Sequence, residues 1–232
     1  MKIAIMQPTY LPWMGYFDLM VQSDVFVFLD DVQFVKKSWQ CRNRIKASTG
    51  ELLLSVPILT SGRQFQEISE VEIDARQPWA SKHFRSIEFS YAKAPFASRY
   101  LPALHDLYLQ PWTKLSELNS AVIDFLRRPL GIETPLRFAS SFQCRKERNE
   151  HVIDLCRVLN ADTLYDAGGA QEVIDAALFE KEGIRTVFQS YEHPVYRQLH
   201  GPFLSHLSTV DLLLNEGPRS LDIIRQGAAK IT

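Results

Sequence analysis

Two short apolar runs near the amino end, residues 2–7 (KIAIMQ) and 25–29 (VFVFL), place the tightest limit on the fold. Each reads as a strand buried on both faces, as strands inside a parallel sheet are. The first stops at Pro8 and the second at Asp30-Asp31. Between them, residues 13–22 (WMGYFDLMVQ) are too many for a turn and carry spaced apolar positions, which predicts a helix opening near Trp13. Strand, loop, helix and strand in that order make a right-handed crossover between parallel strands, and ligands of such sheets gather beyond the carboxyl ends of the strands. Gln7 to Pro12 and Asp30 to Asn43 occupy those ends.

Further on, 52–58 (LLLSVPI) and the alternating 68–73 (ISEVEI) read as strands that continue the sheet, with a polar loop containing Gly62 between them. From 79 to about 128 the pattern is helical, cut by Pro95, Pro102 and Pro111, and 114–128 (KLSELNSAVIDFLRR) is its clearest amphipathic helix. After a turn at Pro129 to Pro135 the spacing predicts a helix over 149–159, a strand at 163–165 ending at Gly168-Gly169, a helix over 171–182, a strand at 184–189 and a terminal stretch from 204 to 226. The expected fold class is α/β: a Rossmann-like parallel-sheet core with a helical middle section. One domain over 1–232 is expected, with an α/β lobe to about 75, the helical section to about 130 and a second α/β section after it.

Charge removes several function classes. The 26 basic and 27 acidic side chains nearly cancel, so no global field draws the chain onto nucleic acid or anionic lipid, and any anion site is local. Cys41, Cys144 and Cys156 are an odd number without C-x-x-C spacing, which argues against a disulfide framework and a structural zinc site. No metal ligand set is expected. Neither an export signal nor a membrane span is legible, so the expected setting is the cytoplasm. The phosphate-loop, dinucleotide, nucleophile-elbow and zincin motifs are missing.

Three segments carry candidate chemistry. The first loop, Gln7 to Asp18, packs two prolines, Gly15 and the aromatic residues Tyr10, Trp13, Tyr16 and Phe17 into one connection. Rings there suit either stacking on a flat ligand or ordinary core packing. Gln7, an amide closing an apolar strand, is expected to address a ligand or a buried backbone group. The second segment, Leu29 to Ile45, sets Asp30 and Asp31 at a strand end, followed by Gln33, Lys36, Lys37, Trp39, Arg42, Asn43 and Arg44. Guanidinium and ammonium groups suit phosphate, and a carboxylate suits ribose hydroxyls, a metal or an ammonium; a turn and a solvated basic face are the plainer alternative. In the third, Gly168 and Gly169 follow a strand, and His193 stands three residues before Tyr196. Glycines permit close backbone approach, and histidine is the side chain that titrates near neutrality. Cys41 beside Arg42 and Arg44 suggests a thiol route, although no spacing rule supports it.

The order and spacing of QPTYLPWMGYFDLM (7–20), Asp24, LDDVQF (29–34), Trp39, NRI (43–45), Pro57, Tyr91, HPVY (193–196) and LSTVDLLLNEG (207–217) resemble the WbqC-like family across nearly the whole chain. The resemblance implies a place in O-antigen or related surface-polysaccharide synthesis and transfer of a glycyl or other acyl group to an amino sugar. On that reading Gln7, Tyr10 and Asp31 shape a donor or nucleotide pocket, Asn43 and Arg44 hold phosphate, and His193, with Asp31 and Tyr196 in the catalytic group, takes a proton from the attacking amine. The partner is a nucleotide-linked amino sugar, and ATP or another activated donor is the cofactor class left open. A non-catalytic nucleotide-sugar binding or scaffolding protein is the alternative. The loop after the first strand is also distantly similar to that of pantothenate synthetase and other nucleotidylyltransferases, but Trp13 and Tyr16 stand where their histidines stand, so the likeness extends to the fold alone.

Overall fold

The computed structural model describes residues 1–228. The buried apolar runs become strands β1 (Lys2–Met6) and β2 (Val25–Phe28), joined by α1 (Met14–Val21). Their side chains divide between two layers. Ala4, Phe26 and Phe28 join the large core under α1, while Ile3, Ile5 and Val27 join a second core on the opposite face. That two-sided burial is why neither run shows polar alternation.

Three more parallel strands complete the sheet: β5 (Leu136–Phe138), β6 (Thr163–Asp166) and β7 (Arg185–Phe188). The order is β5-β2-β1-β6-β7, and every pairing is parallel. Growth from β1 runs outward to β2 and β5 on one side, then jumps back to β6 and β7 on the other. The strand order therefore reverses between β1 and β6, and the crevice beyond their carboxyl ends is where such sheets bind ligands.

The segments expected to extend this sheet do something else. Residues 52–58, expected as a further strand of this sheet, instead contribute to β4 (Gly50–Ser55), which pairs antiparallel with β3 (Arg42–Ala47) in a separate hairpin, and β3 begins inside the segment Leu29 to Ile45 read from the sequence as polar and ligand-binding. Gly50 takes a φ of +111°, which a side chain would resist. Residues 68–70 form a single 3-10 turn, and Glu72 and Ile73 make only isolated bridges to Lys114 and Ile58. Ile68, Val71 and Ile73 are buried, but the 3-10 turn spaces them by three and then two, so the segment does not present the alternating face of a strand.

The middle section holds α2 (Trp79–Tyr91), α3 (Ala97–Leu109) and α4 (Leu115–Arg127). Pro102 lies inside α3 rather than ending it. Its ring costs one backbone bond, and the helix is kept by the buried stripe Ala97, Tyr100, Leu104 and Tyr108. After β5, α5 (Arg148–Val158) crosses to β6, α6 (Ala176–Lys181) precedes β7, and α7 (Thr209–Glu216) and α8 (Ser220–Gly227) follow it. The expected helix over 171–182 is divided, with 3-10 turns over Gly168–Glu172 before α6.

Candidate functional site

Beyond β1 the chain is held by three buried amides. Gln40 donates from Nε2 to Gln7 Oε1 at 2.7 Å. Asn119 of α4 donates to the carbonyls of Pro8 and Gln40 at 3.0 and 2.7 Å. Asn43 of β3 donates to the carbonyls of Tyr10 and Leu11 at 3.1 and 2.7 Å and accepts from Arg44 N–H. The clamp keeps Leu11 at a φ of +47°, an unfavourable setting for a branched side chain. Asn43, expected on phosphate, is thus spent on shaping the loop. Tyr10 is also turned inward: its hydroxyl meets His83 Nδ1 at 2.8 Å and the hydroxyl of Tyr108. Tyr16 is buried and donates to the carbonyl of Gln7 at 3.2 Å.

Trp13 closes the loop and faces the third segment. Its ring is edge-on to Tyr191 at 5.5 Å and nearly parallel to His193, 6.2 Å away at 15°. A Cβ at Gly15 would lie 2.3 Å from that indole, so the glycine is what lets the ring settle there. His193 places Nδ1 3.0 Å from the carbonyl of Pro194, which can only accept, so Nδ1 carries the hydrogen. Its Nε2 is buried without a partner. Burial pulls the His193 pKa down, and nearby His206 adds to this against the Pro194 bond, so the ring is neutral at pH 7. Tyr196 stacks beside His193 but gives its hydroxyl to Asp211 Oδ2 at 2.6 Å, so it does not orient the imidazole by a hydrogen bond.

Beyond β6, Gly168 and Gly169 behave differently. A Cβ at Gly168 would stand 2.7 Å from the carbonyl of Gln189, whereas one at Gly169 would meet open space. Gln189 also reaches back with Nε2 to the carbonyl of Gly15 at 2.9 Å and to Asp18 at 2.6 Å. The tips of β6 and β7 are thereby tied to the first turns of α1. Asp166, at the end of β6, is buried, and burial pushes its pKa up to about 6 despite a hydrogen bond from Ala167 N–H.

Beyond β2 the two acids separate. Asp30 accepts from the backbone and hydroxyl of Ser140, tying down the end of β5. Asp31 is buried with Oδ1 3.3 Å from Nε2 of His151, and Lys146 stands 3.4 Å from its Oδ2 and 3.0 Å from Glu67. Burial opposes ionising Asp31, yet the contacts with His151 and Lys146 together outweigh it and hold the carboxyl below its ordinary range. Nδ1 of His151 has no partner, Nε2 has only the imperfectly aligned contact with Asp31, and the residue is 2% exposed. Unpartnered buried polar atoms of this kind cost about 1–3 kcal/mol each. Gln33 is exposed and bridges through its backbone to Glu67, and Lys37 is exposed at a φ of +58°. Trp39 is half exposed beneath the guanidinium groups of Arg42 and Arg44, at 5.8 and 5.3 Å from its ring. Arg44, expected on phosphate, pairs with both oxygens of Glu51.

Of the expected residues, Asp31 lies beyond β2 against His151 and Lys146, which the sequence does not mark, whereas Trp13 and His193 face each other beyond β1 and β7. Among the described residues no contact joins Asp31 to His193. Three strand spacings separate β2 from β7, or about 14 Å, so an elongated ligand is needed to touch both. Two surface hollows lie elsewhere, one of about 450 Å³ lined by Trp79, Phe84, His105 and Trp112, the other of about 390 Å³ at the amino end of β7.

A model of the WbqC-like protein family matches residues 7–223, starting at the tip of β1 and spanning every group just described. The chain belongs to the WbqC-like family. An uncharacterized protein of Mycobacterium tuberculosis is 35% identical over 226 residues, covering 97% of each chain. No solved structure matches. In this WbqC-like chain the residues that sequence reasoning passed over are Gln40, Asn119, Lys146, His151, Asp166 and Gln189. The run RKERNEH at 145–151 is the one local signal for part of this set, a dense charged stretch opening a helix beside the strand tips.

Among the described residues, no group of three or more His, Cys, Asp and Glu side chains is gathered as a metal site, and no helix is long and apolar enough to cross a membrane.

Proposed function

We propose that this chain transfers an acyl group, glycyl being the family expectation, to the amino group of a nucleotide-linked sugar used for surface polysaccharide, working in the cytoplasm with ATP or another activated donor. The observation that carries the reading is the reversal of strand order between β1 and β6, beyond which lie a clamped loop and an open Gly169, flanked by His151 beyond β2 on one side and His193 beyond β7 on the other. Amide formation requires the sugar ammonium to lose a proton, since an ammonium has no lone pair. The freed nitrogen then bonds to the acyl carbon, and the bond from that carbon to the donor breaks, its electron pair leaving with the donor. His193, neutral and with Nε2 unpartnered, is one group able to take the proton.

A second reading, a binding module without catalysis, has its own support: Tyr10, Asn43 and Arg44 are all committed to partners within the chain. Incubating the protein with ATP, glycine and a panel of nucleotide-linked amino sugars separates the two. A product one glycyl residue heavier supports transfer, binding without a new product supports the module, and the absence of both overturns the proposal.

A further inference from the structure

We infer that His151, oriented by Asp31, is the catalytic base of the transfer, a role that rests on the reaction proposed above but assigns it to a residue the sequence motifs do not mark. Three observations carry it. His151 is 2% exposed with Nδ1 unpartnered, and its Nε2 has only a 3.3 Å, imperfectly aligned contact with Asp31 Oδ1. Buried polar groups left in that state need an explanation, and a proton-transfer pair that tightens only around substrate supplies one. The pair also stands at the carboxyl end of β2, one strand from the crevice beside β1.

The chemistry follows from which atom can carry the hydrogen. A carboxylate only accepts, so the nitrogen facing Asp31 is the protonated one and Nδ1 keeps its lone pair. Nδ1 takes one proton from the sugar ammonium, the N–H electron pair stays on nitrogen as the nucleophile, and the proton passes to solvent after product leaves. The imidazolium formed meanwhile is balanced by Asp31. The other charges facing the pair are Lys146 and, from the 3-10 turn before α2, Glu67, which contact each other at 3.0 Å. The Cys144 thiol lies in their field, and Asp154 further along α5 is saturated by Arg145 and Arg157. His193 has no orienting carboxylate: its Nδ1 meets a neighbouring carbonyl, and its ring is walled by Trp13, Phe203 and His206. It reads as a stacking wall of the site.

Two measurements on the full chain test the assignment. Nitrogen shifts of the imidazole-labelled protein at pH 7 should show His151 with Nε2 protonated and Nδ1 bare, and Asp31→Asn should disturb that preference. In amide-formation assays with the amino-sugar nucleotide that the wild type converts, His151→Gln should lose about 100-fold or more in turnover and the acid limb of the pH profile. His193→Gln should change the KM and retain that limb. His151 protonated at Nδ1, or a folded His151→Gln with the wild-type rate and pH profile, overturns the inference. If the wild type makes no amide, the function falls instead, and the tautomer measurement still decides whether Asp31 orients His151.

Discussion

Asn43 gives its side-chain amide to the carbonyl of Leu11 at 2.7 Å, across 32 residues of sequence, and so fixes the loop beyond β1 from a strand of a different sheet. Replacing Asn43 with Ala leaves the carbonyls of Tyr10 and Leu11 unpartnered in a buried setting. The expected cost is about 3 kcal/mol, read as a lower denaturant midpoint at unchanged slope. A loss no larger than a surface substitution would show that the clamp is dispensable.

Gly168 and Gly169 should part company under the same change. Gly168→Ala drives a Cβ against the backbone of Gln189, which cannot rotate away, and the strain should cost about 1–3 kcal/mol. Gly169→Ala meets nothing and should leave stability within about 0.5 kcal/mol. If Gly169 borders the ligand, its alanine variant loses affinity for a nucleotide-linked sugar while melting as the wild type does.

Asp166 should make the fold less stable as pH rises. Its folded pKa of about 6 lies above the ordinary 3.8, so between these values the native state holds a proton that the unfolded chain has released. The penalty is absent below about pH 4 and complete above about pH 6, at about 3 kcal/mol. Asp166→Asn, which can still accept from Ala167 N–H, should be more stable than wild type at pH 7 and equal to it at pH 4. Equal stability of the two proteins at pH 7 would contradict the burial argument.

The thiol route through Cys41 meets a buried sulfur. Burial raises the Cys41 pKa more than Arg42 lowers it, and the Cys156 thiol is pushed up to about 12. Iodoacetamide at neutral pH should leave both unmodified in the native protein and label them after unfolding. Rapid native labelling of Cys41 that substrate suppresses would revive a cysteine intermediate.

What the sequence discloses tracks how local the cause is. β1, β2, α1, α4 and α5 are legible because each is covered along its own length, giving runs or stripes of apolar residues. β5 is hidden because it is three residues long, with Arg137 in its middle and Phe138 exposed. β3 is hidden because Lys46 is buried in it, satisfied by Gln198 and the carbonyls of Gly201 and Pro202 more than 150 residues away. The site divides in the same way. Asp31 and His193 are visible as polar residues after apolar strands, whereas His151 looks like one more residue of a charged helix until the fold sets it against Asp31. Conversely, Asn43 and Tyr10 look like ligand contacts because a residue that grips backbone from a distance leaves the same local trace as one that grips a substrate.

On the proposed function one ligand lies across the strand tips, between His151 beyond β2 and His193 beyond β7. The chain has six histidines, and His105 lines the separate hollow beside α3, so imidazole nitrogen labelling reports both regions at once. Titrating the labelled protein with a nucleotide-linked amino sugar should move the His151 and His193 signals together, at one saturating concentration, and leave His105 in place. Movement of His105 alone, or saturation of His151 and His193 at different concentrations, would contradict a single site at the strand tips.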